Sequence, residues 1–531
     1  MKSLSDKYIL AIDQGTTGST VLLVDEKGLV IDKAYREFPQ IYPQPGWVEH
    51  NPLDIWKSVL YGIQELHRKG LLKANVLSIG ITNQRETTVV WEKKTGKPVY
   101  NAIVWQCRRT TNYCSELTQE AKSRGISITE KTGLPIDAYF SGTKVRWILD
   151  HCLDNLNNKN PSDYCLGTID SWLIWKLTGG AVHATDPTNA SRTLLYNIQS
   201  HQWDTELCDL LQVPKALLPE VQPSMGNFGT VDGNINGLEA LQGVPISGVV
   251  GDQQAALFGQ MCWKPGQLKN TYGTGCFMMM NTGEDCVYSP KGLLTTLAIN
   301  ETGKVCYALE GSVFIAGAAV QWLRDELQII QKAEDTESMA VSLKDNGGVY
   351  FVPAFVGLGT PYWNSEARGT LVGLTRGSNR NHFARAALEA MAYQTMDMAG
   401  AMLQARKLES SKESRVVDTM DTTETLELAV DGGATANGFL MQFQADILNA
   451  TLVRPSMVES TSLGAAFLAG LQVGFWKSTK ELNTLREQHS KATVFKPNMS
   501  EEEREKYRNG WRKAITQTTA EKTDSPPHNM A

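Results

Sequence analysis

Apolar residues in the first hundred positions fall in short runs broken by Gly, Asp and hydroxyl residues. Y-I-L-A-I-D (8–13) predicts a strand, Q-G-T-T-G-S (14–19) a turn, T-V-L-L-V-D (20–25) a second strand and L-V-I-D-K-A-Y (29–35) a third. Short β-rich runs bounded by Gly and Asp mark hairpins. An amphipathic stretch from Asp54 to Lys69 predicts a helix, and V-L-S-I-G-I-T (76–82) and T-T-V-V-W (87–91) predict further strands. Three antiparallel strands, a helix and more strands imply a mixed sheet.

The rhythm returns after residue 265. G-Q-L-K-N-T-Y (266–272), the turn G-T-G (273–275), C-F-M-M-M-N (276–281), L-L-T-T-L-A-I (293–299) and V-C-Y-A-L-E (305–310) read as a second meander. The repeat is one of supersecondary structure, not of residue identity. It predicts two related α/β units that meet near 256–265. Asn381 to Arg406 predicts the longest helix, with Phe383, Ala387, Met391, Met398 and Met402 at helical spacing and Leu388 and Leu403 broadening the face. A Met-rich face of this kind packs into a core. E-S-S-K-E-S-R-V-V-D-T-M-D-T-T-E-T (409–425) reads as an exposed loop, and 517–531 as a frayed tail.

Composition narrows the function classes. A chain of 531 residues exceeds what one core organises, so two or more domains are expected. With a formal net charge of -6 and no dense Lys/Arg run, no nucleic-acid partner is expected. Nine scattered Cys with no C-x-x-C pair predict reduced thiols and a cytoplasmic protein. The 8 His show no zinc-ligand spacing, and no apolar run reaches membrane length, so neither a zinc site nor a membrane span is expected.

Three Gly-rich turns carry candidate chemistry. D-Q-G-T-T-G (13–18) and Y-G-T-G-C (272–276) join strand to strand; V-D-G-G-A-T-A-N (430–437) joins a strand to an apolar helix. Successive backbone N–H groups in such turns can cradle phosphate oxygens, and a helix N-terminus favours anions. Each taken singly also reads as a tight turn; two facing clamps would define a nucleotide cleft. There is no Walker A sequence and no G-x-G-x-x-G, which removes the P-loop and Rossmann readings. Asp13 closes the first strand, where a carboxylate can hold Mg²⁺. In I-S-G-V-V-G-D-Q-Q-A-A-L-F-G-Q (246–260), Asp252 is a lone charge in an apolar run. It reads as a helix cap, as a catalytic group, or as both. In N-Q-R-E (83–86), Arg85 and Glu86 could donate to and accept from a polyol, or form a surface ion pair. Trp105 and Tyr139 read as ligand contacts or as core aromatics.

These segments resemble the FGGY carbohydrate-kinase family, within the fold group shared by actin, heat-shock chaperone ATPases and sugar kinases. I-D-Q-G-T-T matches the family's first phosphate motif, and Y-F-S-G-T-K-V-R-W-I-L-D-H (139–151) and G-T-L-V-G-L-T-R-G-S-N-R-N-H-F-A-R-A-A-L-E (369–389) fit its two signatures. G-I-T-N-Q-R-E-T-T-V-V-W-E and N-A-I-V-W-Q-C-R-R resemble its glycerol-phosphorylating members rather than its pentulose kinases. G-D-Q-Q-A-A-L-F-G-Q, Y-G-T-G-C-F-M and D-G-G-A-T-A-N complete the set, and the resemblance runs over nearly the whole chain.

The resemblance implies an α/β fold of two RNase H-like domains around a central nucleotide cleft: residues 1–256 carrying the glycerol site and first phosphate turn, 257–516 the nucleotide site, and 517–531 the tail. It implies ATP-dependent phosphorylation of glycerol to sn-glycerol 3-phosphate, with Mg²⁺ as cofactor and a homodimer or homotetramer as the assembly. By the family motifs, Arg85, Glu86, Tyr139, Asp252 and Gln253 would bind the glycerol hydroxyls, with Trp105 and Phe277 flanking its carbons. Thr16, Thr17, Gly18 and Thr274 would contact phosphates, while Gly317, Gln321, Gly433 and Asn437 would line the ADP site. Asp13 and Asp252 would hold Mg²⁺, and Asp252 would be the base. Two departures stand out: Thr20 replaces an Arg common in the family, and G-L-E-A-L-Q-G (237–243) lacks the Arg of a sugar-bisphosphate effector loop, so no such control is expected. Two rival readings are a kinase for another polyol or ketose, and a nucleotide-dependent switch resembling actin or a heat-shock chaperone.

Overall fold

The computed structural model describes residues 7–72, 75–153, 156–157, 159–289, 292–412, 426–456, 459–489 and 491–520. The opening runs form the expected strands β1 (Tyr8–Gln14), β2 (Gly18–Val24) and β3 (Val30–Glu37), followed after the first helix by β4 (Val76–Asn83) and, much later, β5 (Ile246–Gly251). They assemble in the order β5-β4-β1-β2-β3. The β1–β2 and β2–β3 pairs are antiparallel, and β1–β4 and β4–β5 are parallel. Both faces of the inner strands are covered, because alternate residues feed two different cores: Leu10, Ile12, Val21 and Leu23 one, Ile9, Ala11, Leu22 and Val24 the other. Helix α1 (Pro52–Arg68) begins where the Asn51 side chain accepts the Leu53 N–H, and it buries Ile55, Trp56, Val59, Ile63 and Leu66.

The 87–91 run leaves this sheet. Glu86 turns the chain with φ of 60°, and Thr88–Glu92 joins a separate four-stranded sheet beside Tyr164–Thr168 and Ala102–Ile103.

The second unit repeats the plan. Its strands are β6 (Leu268–Tyr272), β7 (Cys276–Gly283), β8 (Leu294–Ile299), β9 (Val305–Val313), β10 (Leu426–Asp431), β11 (Ala450–Arg454) and β12 (Thr493–Phe495). They order as β8-β9-β7-β6-β10-β11-β12, antiparallel from β8 to β6 and parallel at β6–β10–β11; β9 inserts between β7 and β8, so the expected meander order is not kept. A hairpin followed by parallel strands thus occurs twice, as two RNase H-like units require.

Two helices knit the units together. Helix α2 (Asp252–Gly259) follows β5, and the later helix α6 (Ser460–Gln472) packs on it and on β1, β4 and β5. The approach is backbone to backbone: a Cβ on Gly464 would sit 1.9 Å from the Ala255 carbonyl oxygen. The other helices that matter below are α3 (Gly317–Asp325), α4 (Arg380–Lys412), α5 (Gly438–Leu448) and α7 (Glu501–Thr519).

The Met face of α4 is core as expected, with Met391, Met398 and Met402 buried. The helix runs on to Lys412, so 409–412 is not loop; 413–425 lies outside the described residues. Likewise 517–519 belongs to α7, whose buried Trp511, Ala514 and Ile515 hold its last turns down, while 521–531 lies outside the described residues.

Candidate active site

The parallel strands β1, β4 and β5 end side by side: Asp13 pairs in register with Thr82, and Asn83 with Gly251. Ligands in open α/β sheets sit beyond such carboxyl ends. From these ends project Asp13, Arg85, Glu86 and Asp252. In the second unit Thr271 registers with Asp431, so the 273–275 turn and Gly432–Gly433 leave from matching ends.

Asp252 is not the helix cap. Gly251 holds that place with φ -62° and ψ 149°, its N–H donating to Thr188 Oγ1 at 2.8 Å. Asp252 is the first helical residue, and its Oδ1 accepts the Gln253 N–H at 2.7 Å. Arg85 Nε lies 3.1 Å from the same oxygen, and the Asp252 side chain is 30 % exposed. Arg85 itself is buried; Nη1 donates to Gln254 Oε1 at 3.2 Å and to Glu310 Oε2 at 2.5 Å, and Nη2 to Glu310 Oε1 at 3.1 Å. Glu86 is buried as well and accepts from Arg192 Nε at 2.6 Å. Arg85 and Glu86 are therefore no surface pair. The positive φ of Glu86 is strain of the kind that persists where surrounding contacts over-determine a residue, here the Ser141 and Thr88 hydroxyls on its carbonyl.

Three rings gather beside this polar floor. Trp105 stands 5.6 Å from Tyr139 and 6.4 Å from Phe277, both edge to face, and Phe277 reaches in from the second unit. The Trp105 indole N–H donates to Thr16 Oγ1 at 3.0 Å, which ties the aromatic wall to the first Gly turn and leaves the Thr16 proton to donate. Gln253 Oε1 accepts from Lys269 Nζ at 2.5 Å.

Each Gly turn is closed by one backbone bond, over three residues in the first and two in the second. Gly15 N–H bonds the Gly18 carbonyl at 2.9 Å, and Gly273 N–H the Gly275 carbonyl at 2.9 Å. A Cβ on Gly18 would lie 2.6 Å from the hydroxyl of the exposed Tyr35, whose ring would have to move aside. Thr274, Gly317, Gln321, Gly433 and Asn437 line one cavity of about 390 Å³, with Tyr272, Val320 and Met391 as apolar wall. Gly317 lets α3 start against the second turn, its N–H bonding the Gly273 carbonyl at 3.0 Å. Asn437 caps α5 by accepting the Leu440 N–H at 2.9 Å and donates to Thr336. Gly433 is open: a Cβ there would meet no atom within 4 Å.

Burial governs the electrostatics. It pushes the Asp13 carboxyl up to about 7, against the Ser462 hydroxyl bond, and the neighbouring Asp252 and Glu459 charges push the same way. Burial also raises Asp252, opposed by Arg85 and Lys269, so a helix N-terminus does not by itself hold it low as an ordinary cap would. Glu310 goes the other way: despite burial, Arg192 and Arg85 hold it down at about 2. Lys269 is lowered by burial, opposed by Asp431 and Asp252.

Glu310, Arg192 and Lys269 were not singled out by sequence. Each is a charge in a run with no motif, and their one signal is that a charged residue in a buried strand or beside apolar text needs a partner.

Two α/β units, each with a Gly turn beside its strand ends, a cavity of about 390 Å³ in the second and a cluster of buried charges and rings in the first, define a two-lobed phosphotransferase of the actin-like fold group. Residues 8–259 match the N-terminal domain and 268–473 the C-terminal domain of the FGGY family of carbohydrate kinases, and the chain belongs to that family. It is similar to glycerol kinase 2 of Thermotoga maritima, 53% identical over 513 residues, 96% of this chain and 99% of that one. The glycerol kinase of Caldanaerobacter subterraneus is 54% identical over 514 residues, 96% of this chain and 98% of its own. Among solved structures, Plasmodium falciparum glycerol kinase with ADP superposes with a TM-score of 0.87 at 36% identity, covering 97% of this chain and 99% of that one.

Proposed function

We propose that the chain transfers the γ-phosphoryl group of ATP to glycerol, giving sn-glycerol 3-phosphate. The observation that carries this is the meeting of Arg85, Asp252, Glu86 and three aromatic rings at the strand ends, beside a separate nucleoside cavity. A small polyol needs donors and acceptors for its hydroxyls and apolar walls for its C–H faces; Arg85, Glu86, Tyr139, Asp252 and Gln253 supply the first, Trp105 and Phe277 the second. Relatives about half identical over nearly their whole length and named glycerol kinases support the choice of acceptor.

Phosphoryl transfer rests on positioning and charge neutralisation. Asp252 receives the proton of the attacking hydroxyl; burial raises its basicity, opposed by Arg85 and Lys269. The turns at 15–18 and 273–275, with Thr16, Thr17, Gly18 and Thr274, hold phosphate oxygens. Gly317, Gln321, Gly433 and Asn437 hold the nucleoside. The donor set fits Mg²⁺: Asp13 and Asp252 are hard carboxylates, and the Asp252 charge is felt at Asp13, which suits an ion bound by one or two carboxylates plus phosphate oxygens. Mg²⁺ bound there supplies charge neutralisation on the phosphates. A division into 1–256 and 257–516, a homodimer or homotetramer and a cytosolic place of action belong to the same reading, the last supported by nine scattered cysteines with no C-x-x-C pair. Absence of sugar-bisphosphate control fits Glu239, whose carboxylate already takes the Gly237 N–H at 3.0 Å. Comparing kcat/KM for glycerol, xylulose and gluconate tests the proposal: preference for glycerol supports it, and preference for a ketose or acid sugar refutes the acceptor.

A further inference from the structure

Glu310 is a carboxylate in the wrong kind of place unless it has a task. It lies on β9, in register with Met279 and Leu294 in the second sheet, and is 1 % exposed. Both of its ion-pair partners come from the other unit: Arg85, just past the end of β4, and Arg192, after the short helix Pro187–Ala190. The carboxylate spans Arg85 with two bonds, 2.5 and 3.1 Å, and takes Arg192 Nη2 at 3.0 Å. Arg192 in turn holds Glu86. One acidic group of the second unit therefore fixes both polar residues offered to the polyol by the first. In so dry a setting a charge left without its partner is strongly disfavoured, so the pairing and the seating of the two units stand or fall together.

Without Glu310, the Nη1 and Nη2 groups of Arg85 would keep only Gln254 among the bonds described above. The guanidinium would lose the two-armed hold that sets its plane, keeping Nε against Asp252 and Nη1 against Gln254. We propose that Glu310 is a positioning residue: through it the second unit holds Arg85, by way of a direct two-armed pair, and Glu86, by way of Arg192, in their polyol-binding orientation. The acceptor pocket is then complete only when the two units are seated on each other. This rests on the reading of Arg85 as a polyol donor.

Steady-state kinetics of the full chain separates the two ideas, using Glu310→Gln, Glu310→Asp, Arg85→Lys and the double variant Arg85→Lys/Glu310→Gln. Losing a charged hydrogen-bond partner should raise the glycerol KM of Glu310→Gln roughly tenfold or more, with the ATP KM within about twofold of wild type. Glu310→Asp, which keeps the charge at shorter reach, should fall between. Because Glu310 acts through Arg85, adding Glu310→Gln to Arg85→Lys should raise the glycerol KM less than it does alone. A raised glycerol KM in Arg85→Lys with an unchanged one in Glu310→Gln overturns the proposal and leaves the Arg85 reading standing. An unchanged glycerol KM in Arg85→Lys overturns that reading itself. A fall in kcat with both KM values unchanged would mark Glu310 as purely structural and overturn the proposal. If Glu310→Gln does not fold, Glu310→Asp carries the same comparison.

Discussion

Asp252→Asn removes the proposed base while sparing its surroundings. Asparagine keeps an oxygen for the Gln253 N–H and for Arg85 Nε, now at 2.7 and 3.1 Å. Arg85 stays anchored by its two bonds to Glu310. Burial already disfavours the Asp252 charge, so the variant should be no less stable than the wild type. What is lost is the proton acceptor, together with one charge of the Mg²⁺ donor set; the acceptor contributes ~10²- to 10⁴-fold in such reactions, or about 3–5 kcal/mol of barrier. The expected result in a coupled ADP-release assay is a kcat lowered by about that factor, with the glycerol KM changed by less than about fivefold because most binding partners persist. Matched thermal melts confirm that the active fraction is unchanged. A kcat within about threefold of wild type would refute the base assignment, since less than 1 kcal/mol would then depend on the carboxylate.

Phe277→Ala opens the wall that the second unit places against the pocket, and should raise the glycerol KM about tenfold with little change in the ATP KM. Gly433→Val should do the reverse, because its side chain enters empty space in the nucleotide cavity: a higher ATP KM, an unchanged glycerol KM and an unchanged melting temperature. Glu310 sits at about 2 against an ordinary 4.5, so its stabilising contribution is complete above the higher value and is lost as pH falls toward the lower. Urea unfolding of wild type and Glu310→Gln should therefore differ more at about pH 5 than at about pH 3; a difference independent of pH would contradict the pairing.

Much of the fold was legible because it is local. The hairpins at 8–35 and 266–281 announce themselves by period and by Gly turns, and each has a parallel strand beside its first strand; the place of β8 outside β9 was not legible, because a strand's neighbour two elements on is not a local signal. Asp252, Arg85 and Glu86 were legible as charges at the ends of apolar runs. Trp105, Tyr139 and Phe277 became one wall only in three dimensions, although the family motifs named them together. The ion network was hidden for a physical reason. Glu310 finds Arg85 across 225 residues and Arg192 across 118, and no local pattern encodes a partner so distant. The end of α4 was misjudged because 409–412 is polar, and a polar helix turn looks like loop when read without its preceding turns. Asp252 was misplaced by one residue because Gly251 supplies the extended backbone that the cap requires.

The most direct measurement is ADP release from ATP by the purified chain, with and without glycerol, with the phosphorylated product identified by ³¹P NMR. The account predicts ADP formed in step with sn-glycerol 3-phosphate, dependent on glycerol, abolished by chelating divalent cations and restored by Mg²⁺. ADP release at the same rate without glycerol, and with no glycerol phosphate formed, would contradict it and point to a nucleotide-driven switch on the same fold.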